Sequence, residues 1–510
     1  MPVRPSPKSL KQSSLNSVAN HLEILCYGFA KGTKGLSQLI DSDGIKKCPS
    51  PFHDWPGSLL EDLSNTIYSR RAGLAHLLYP VIQPQMRHYD IQIHGSIYVA
   101  MDLVSKRCKD LISLNFAFSV NLPPMYYTEF FKHFRHLTKL NLFGSMVDDI
   151  AFGSIGNNCI NLLELNAGKT WITNYGLKKL TYAEDGMTVL CPKMRHLVVT
   201  ETRVTTEGLS EFLLTHPDMI KLEHEESLHL VGRFWMKSTP SKLIQLCSTG
   251  QRVSPCEFEH AMAYCPNLTT LSITSAGLGN EHIYLLMNMN NLTSLHLGNL
   301  MAESFNFREG VAPVLQSCGP ALQKLVLEKF TEIDVGLIGD FCPQLAHLAL
   351  SSITAYTPVL NLNENHFRKL RNIEFWSHLD AHICPSVIKQ CMINSTLERA
   401  LFQCVGSITD TFLLELLDLN PQLKLENLVF DRCHAISPRL LWRFLQLPNQ
   451  LSILRCWNCR GITSVDKDEI KTVVREENLC LYWEWYPYIE EDHVIPHDRQ
   501  EYDHDEAAQN

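Results

Sequence analysis

One apolar template, L-x-x-L-x-L, recurs along most of this 510-residue chain and constrains its fold more than any single motif does. Clear copies are Leu111-Ile-Ser-Leu114-Asn-Phe116, Leu137-Thr-Lys-Leu140-Asn-Leu142, Leu162-Leu-Glu-Leu165, Met194-Arg-His-Leu197-Val-Val199 and Leu268-Thr-Thr-Leu271-Ser-Ile273. The pattern continues in Leu292-Thr-Ser-Leu295-His-Leu297, Leu322-Gln-Lys-Leu325-Val-Leu327, Leu345-Ala-His-Leu348-Ala-Leu350 and Leu370-Arg-Asn-Ile373-Glu-Phe375. Leu425-Glu-Asn-Leu428-Val-Phe430 and Leu451-Ser-Ile-Leu454-Arg-Cys456 follow, with weaker copies at Met219 and Leu397. Most successive starts lie about 23 to 32 residues apart, a period typical of short stacked units. The x-L-x-L-x part alternates like a strand buried on one face, and the rest of each period has room for a helix returning over the other side. A single unit cannot bury its apolar face, but stacked units share a continuous core. The expected architecture is an α/β solenoid with a curved parallel sheet inside and helices outside.

A second period runs alongside the first. Cysteine precedes the template by three residues at Cys108, Cys159, Cys191, Cys265 and Cys342, and by four at Cys318, with Pro192, Pro266 and Pro343 directly after it. A small apolar thiol fits the buried end of a helix, and proline stops that helix from continuing. After the strands, Ile172-Thr-Asn-Tyr-Gly-Leu177, Val204-Thr-Thr-Glu-Gly-Leu209, Ile408-Thr-Asp-Thr-Phe-Leu413 and Ile436-Ser-Pro-Arg-Leu-Leu441 place a Thr or Ser N-cap ahead of a new apolar run.

With these marks the chain resembles, over about residues 100 to 465, the cysteine-containing leucine-rich repeats of substrate receptors in cullin-type ubiquitin ligases. F-box proteins and the Zyg-eleven/Zer group are examples. Near the N-terminus, His21-Leu-Glu-Ile-Leu-Cys-Tyr-Gly-Phe-Ala30 sets Leu22, Cys26 and Ala30 four residues apart on one helical face, which resembles an Elongin C-binding box. Trp55-Pro-Gly-Ser-Leu59-Leu-Glu-Asp-Leu63 resembles a cullin box, with Pro56 suited to a first helical turn and Trp55, Leu59 and Leu63 on the docking face. The resemblance implies a non-catalytic subunit that joins Elongin B/C and a cullin scaffold and holds a protein substrate. An F-box read from Trp55-Pro-Gly-Ser-Leu-Leu, binding a Skp adaptor, is the second route, and a helical cap that seals the first repeat explains the same spacing. Zyg-eleven/Zer proteins continue into an armadillo-like domain, which is not seen after these repeats, so the substrate is expected on the repeat surface itself.

The expected organisation is a polar, disordered stretch over 1–14, a helical adaptor-binding segment and N-terminal cap over 15–100, and the leucine-rich-repeat solenoid over 101–465. A C-terminal cap over 466–489 carries the aromatic run Leu481-Tyr-Trp-Glu-Trp-Tyr-Pro-Tyr488, and an acidic disordered tail covers 490–510. Residues 220–260 break the rhythm and read as an irregular, padded repeat. The tail holds eight Asp/Glu and one Arg, so it accounts for −7 of the overall −9 and leaves the body near neutral. That balance offers no basic field for nucleic acid or an anionic membrane. No run approaches the roughly 18 apolar residues of a membrane span. Seventeen cysteines without a secretory h-region suggest reduced thiols in the cytoplasm or nucleus.

No phosphate loop, H-E-x-x-H or G-x-S-x-G occurs, so neither an enzyme nor a cofactor is expected. Cys456-Trp-Asn-Cys459 is a C-x-x-C, but Cys456 takes the last apolar position of a repeat and Cys459 the ladder position that Cys433 takes one repeat earlier, which favours core packing over metal. Residues between the template leucines face away from the core, so the candidate substrate-binding positions are Phe143, Lys324, Glu328, Glu374, Trp376, Asp431, Arg455 and Trp457. Tryptophan and arginine suit a protein interface. The alternative function is a leucine-rich-repeat scaffold or inhibitor with no ligase link.

Overall fold

The computed structural model describes residues 9–27, 50–70, 77–90, 97–120, 122–234, 240–274, 277–299, 305–381, 383–393, 396–420, 424–446 and 450–487. The chain divides between Gln245 and Leu246 into two compact units. In the N-terminal unit, β1 (His88–Asp90), β2 (Ser113–Asn115), β3 (Lys139–Asn141), β4 (Glu164–Asn166), β5 (His196–Val198) and β6 (Lys221–Glu223) form a parallel sheet in sequence order. In the C-terminal unit, β7 (Gln245–Ser248), β8 (Thr270–Ile273), β9 (Ser294–Gly298), β10 (Lys324–Glu328), β12 (His347–Ser351), β14 (Asn372–Ala381), β15 (Arg399–Val405), β16 (Asn427–Asp431), β17 (Ile453–Trp457) and β18 (Tyr482–Tyr486) form the second sheet. The short strands β11 (Glu332–Ile333) and β13 (Ala355–Tyr356) pair apart from it. Each unit is a leucine-rich-repeat solenoid, with successive strands in register and helices returning between them. The array expected as one body over 101–465 is therefore built on two sheets, and it starts earlier, at β1.

The template explains the core. Leu114, Leu140, Leu165, Leu197 and Leu222 stack on one side of the first sheet, and Leu271, Leu295, Leu325, Leu348, Ile373, Leu428 and Leu454 on one side of the second, all buried. Phe375, Phe402 and Phe430 continue the inner column as stacked rings, with centroids 6.2 and 6.0 Å apart. Cys108, Cys159, Cys191, Cys265, Cys318 and Cys342 are buried as expected, and Cys159, Cys265 and Cys342 are the C-cap residues of their helices.

Two further positions complete the repeat. Seven residues after the template start, the backbone turns left-handed, at Phe118, Gly144, Lys169 and Glu201 in the first sheet and at Lys329, Ser352, Cys404, Arg432 and Asn458 in the second. One residue later stands a short donor: the Thr170 and Thr202 hydroxyls close the turn on Ala167 O and Val199 O, and the Cys433 and Cys459 thiols donate to Phe402 O and Phe430 O of the preceding repeat.

Residues 220–260, read from sequence as an irregular repeat, are described except for 235–239, and the boundary between the two sheets falls within them. They hold β6, β7 and the helices Ser227–Phe234 and Pro255–Tyr264, the latter opened by a Ser254–Glu257 capping box. His224 replaces the last apolar residue of the template, and its ring is satisfied inside by Val204 O at 3.0 Å. Leu243-Ile-Gln-Leu246-Cys-Ser248 is a regular copy whose last apolar position is serine.

Among the described residues, the helices α1 (Leu10–Asn20), α2 (Leu22–Tyr27) and α3 (Gly57–Arg70) precede the first sheet. Helix α1 starts inside the stretch expected to be disordered, because Ser9 Oγ accepts from Gln12 N at 3.1 Å and caps it. Lys11 pairs with Asp62 and Gln12 reaches Thr66, which ties α1 to α3. Glu61 Oε1 in α3 accepts both Arg87 N and His88 N at 2.9 Å, so the segment docks on β1. Residues 1–8 and the tail over 490–510 lie outside the described residues.

Candidate protein-binding face

On each sheet the side chains between the template leucines point away from the core; most are half-buried against one another, and Ala349, Val429, Asp431 and Trp457 are buried. The in-register pairing turns them into transverse rows. At the C-terminal ends of the strands, Ser351, Trp376, Gln403, Asp431, Trp457 and Tyr486 stand side by side across β12, β14, β15, β16, β17 and β18. Two residues back, Ala349, Glu374, Leu401, Val429, Arg455 and Glu484 form the next row. Trp376 and Trp457 are thus three strands apart, about 14 Å at the usual strand spacing. Beyond Trp376 the register of β14 against β15 shifts, a bulge at the rim of this face.

The charges on this face are partly matched. Arg455 Nε lies 2.9 Å from Glu484 Oε2, and its guanidinium sits 5.5 Å from the Trp457 ring and 5.7 Å from that of Tyr482. His347 approaches Glu374 at 3.6 Å, and His296 approaches Glu328 at 3.7 Å while its Nδ1 meets Ser272 Oγ at 3.0 Å. Asp431 is only 8% exposed and accepts from Asn458 Nδ2 at 3.1 Å. Burial pushes its carboxyl above the ordinary carboxylate range; the Asn458 amide, Arg432 and His434 offset part of that rise. The Trp376 indole N–H is buried and finds no acceptor among the described residues.

Of the substrate-binding positions read from sequence, Glu374, Trp376, Asp431, Arg455 and Trp457 gather on β14 to β17. Lys324 and Glu328 lie on β10, with β12 between them and this group. Phe143 belongs to the other unit, where its ring meets Phe118 at 5.5 Å and Lys169 Nζ at 5.4 Å. Sequence reasoning passed over Gln403, Tyr482, Glu484 and Tyr486. Aligning the template copies in columns would have exposed the first, whereas the last strand is disguised by its tryptophans.

The adaptor-box residues are placed differently. Leu22, Cys26 and Leu63 are buried in the packing of the N-terminal unit, Trp55 and Leu59 are half-buried, and Pro56 is exposed. Ala30 lies outside the described residues. The exposed apolar side chains of α2 are Ile24 and Leu25, at 70% and 50%. Phe52 packs edge-on against Trp55, 5.0 Å between centroids.

Cys456 and Cys459 sit in the core, and burial pushes the Cys459 thiol up to about 12. Among the described residues no group of three or more His, Cys, Asp or Glu could hold a metal ion, and no helix is long and apolar enough to cross a membrane.

No family model matches the chain, and no curated protein matches it. Among solved structures it is similar to a chain of the yeast Rad7 and Elc1 complex, with 14% identity over 90% of this chain and 96% of that one and a TM-score of 0.42. It is also similar to a leucine-rich-repeat protein of Leptospira interrogans, with 16% identity over 74% and 92% and a TM-score of 0.34. An internalin from Listeria monocytogenes gives 13% identity over 71% and 82% and a TM-score of 0.30.

Proposed function

We propose that this chain is a non-catalytic substrate receptor of a cullin-RING ubiquitin ligase, holding its target on the open face of the C-terminal sheet and its adaptor on the N-terminal helices. The observation that carries target binding is the row from Trp376 to Tyr486, which sets aromatic and charged side chains on one rigid surface. The adaptor link rests on the spacing of Leu22 and Cys26 and of Trp55, Pro56, Leu59 and Leu63. Because three of these are buried, adaptor contact falls first to Ile24, Leu25, Trp55, Pro56 and Leu59, and Leu22 and Cys26 hold α2 in place. Catalysis belongs to other subunits.

The burial of Leu22, Cys26 and Leu63 favours a second reading, in which the helices only seal the first sheet and the protein is a scaffold or inhibitor without a ligase. Co-purification from cells separates the two. The ligase reading expects Elongin B/C and a cullin with the intact chain, and their loss on deletion of residues 15–70 and with Ile24→Asp/Leu25→Asp, which alters only exposed positions. Equal recovery with the double substitution would sink the assigned contact, and no cullin with the intact chain would leave the scaffold.

A further inference from the structure

The two outermost rows of the C-terminal face are acidic. Glu328, Glu374, Asp431 and Glu484 stand against one permanent cation, Arg455, so the rows carry four negative charges and one positive, a net of −3. Arg455 is already engaged by Glu484 at 2.9 Å. Within the two rows no ion pair reaches Asp431; its carboxylate takes a hydrogen bond from the neutral amide of Asn458, and Arg432 and His434 nearby offset only part of the cost of its burial. Holding a carboxylate out of water in this way is costly unless a cation reaches it. On one side of it lies Trp457, whose indole already takes a guanidinium at 5.5 Å, so the ring accepts that geometry. On the other side, beyond Gln403, stands Trp376.

We infer that this row binds an arginine-bearing segment of the partner protein, with the guanidinium paired to Asp431 against the Trp457 indole. The inference deepens the proposed function and rests on its assignment of this face to the target. Arginine fits better than lysine: its planar, weakly hydrated head can pair with a carboxylate and stack on an aromatic ring at once, whereas an ammonium loses more hydration in a crowded site. Phosphate-bearing partners are disfavoured by the same net negative charge.

The test uses the full chain and fluorescein-labelled repeat peptides of arginine–serine, lysine–serine, citrulline–serine and glutamate–serine, with binding read by polarisation. The arginine peptide should bind best, and citrulline, which keeps the shape but not the charge, should bind at least about tenfold more weakly. Asp431→Asn should weaken the arginine peptide by at least about tenfold. Gln403→Lys, which sets a competing cation beside an intact Asp431, should do the same. Equal binding of arginine and citrulline peptides, equal affinity with Asp431→Asn, lysine equal to arginine, or no binding at all would each overturn the inference. Trp376→Ala/Trp457→Ala separates this failure from that of the face itself. If the arginine peptide fails yet these substitutions still remove a protein that co-purifies with the intact chain, the face binds its target by other chemistry. If they remove nothing, the assignment of the face falls as well.

Discussion

The repeats of the N-terminal unit are held together by a carboxylate that reaches from one helix to the next turn, and Gly176 is there to leave it room. Asp149, in the first turn of the helix Asp149–Asn158, accepts Thr173 N at 2.8 Å through Oδ1 and the Thr173 hydroxyl at 2.7 Å through Oδ2. Thr173 in turn caps the helix Asn174–Thr181 by accepting from Tyr175 N. A Cβ added at Gly176 would lie 2.2 Å from Asp149 Oδ1 and 3.0 Å from both its Cγ and its backbone Cα, so Gly176→Ala must expel the carboxylate and still press on the Asp149 backbone. Two charge-assisted hydrogen bonds at a half-buried site are worth about 2–3 kcal/mol together. Alanine returns about 1 kcal/mol of helix propensity, which leaves a net cost of roughly 1–2 kcal/mol. Asp149→Ala alone should cost about 2–3 kcal/mol, and Gly176→Ala added to it should cost less than it does in the intact chain, because the carboxylate is already gone and only the contact with the backbone of residue 149 remains. Urea unfolding followed by circular dichroism gives the cycle. If Gly176→Ala costs the same with Asp149 present or replaced, the carboxylate is not what the glycine accommodates.

Other perturbations probe separate parts of the account. Phe402→Ala removes the middle ring of the Phe375–Phe402–Phe430 stack and should cost about 3–5 kcal/mol in the same denaturation assay. Lys329→Gly relieves a left-handed backbone at φ 59° and should stabilise by up to about 1 kcal/mol, with no change expected if that conformation is absent in solution. Asp431→Asn should raise the thermal midpoint near neutral pH and change it little at acid pH. The folded carboxyl lies above its unfolded value, so it contributes stability when protonated at low pH and loses it as pH rises through the folded value; a pH series of melting curves checks the sign. Cys384 is half-buried, and its thiol is held below the ordinary cysteine value by hydrogen bonds from the Ser386 hydroxyl and the Ser386 and Val387 backbone N–H groups. It should be alkylated by iodoacetamide well before the buried Cys391, whose thiol burial pushes far up, and equal labelling rates by mass spectrometry would refute this.

Most of the solenoid was readable because its signal is redundant: each template leucine is tested again in the next repeat, and the cysteines mark the same helix ends that the caps and prolines do. Copies were lost where one apolar position changed. Met86-Arg-His-Tyr89-Asp-Ile91 carries tyrosine, Leu243 to Ser248 ends in serine, and the last strand uses Trp483 and Trp485. The left-handed turn escaped notice because Phe118, Lys169, Glu201 and Arg432 occupy it without glycine. The tryptophan row could be picked out residue by residue, but its partner Gln403 came only with strand register. The N-terminal helices show the limit most plainly. A four-residue spacing identifies a helical face and says nothing about whether that face meets another protein or the chain's own core, and Leu22 and Cys26 are in the core.

The central claim is tested most directly by mixing the purified full chain with purified Elongin B/C and measuring the mass of the product by size exclusion with light scattering. The receptor account predicts a stable complex of the chain with one Elongin B/C heterodimer, lost with Ile24→Asp/Leu25→Asp. A chain that elutes unchanged beside free Elongin B/C would contradict it.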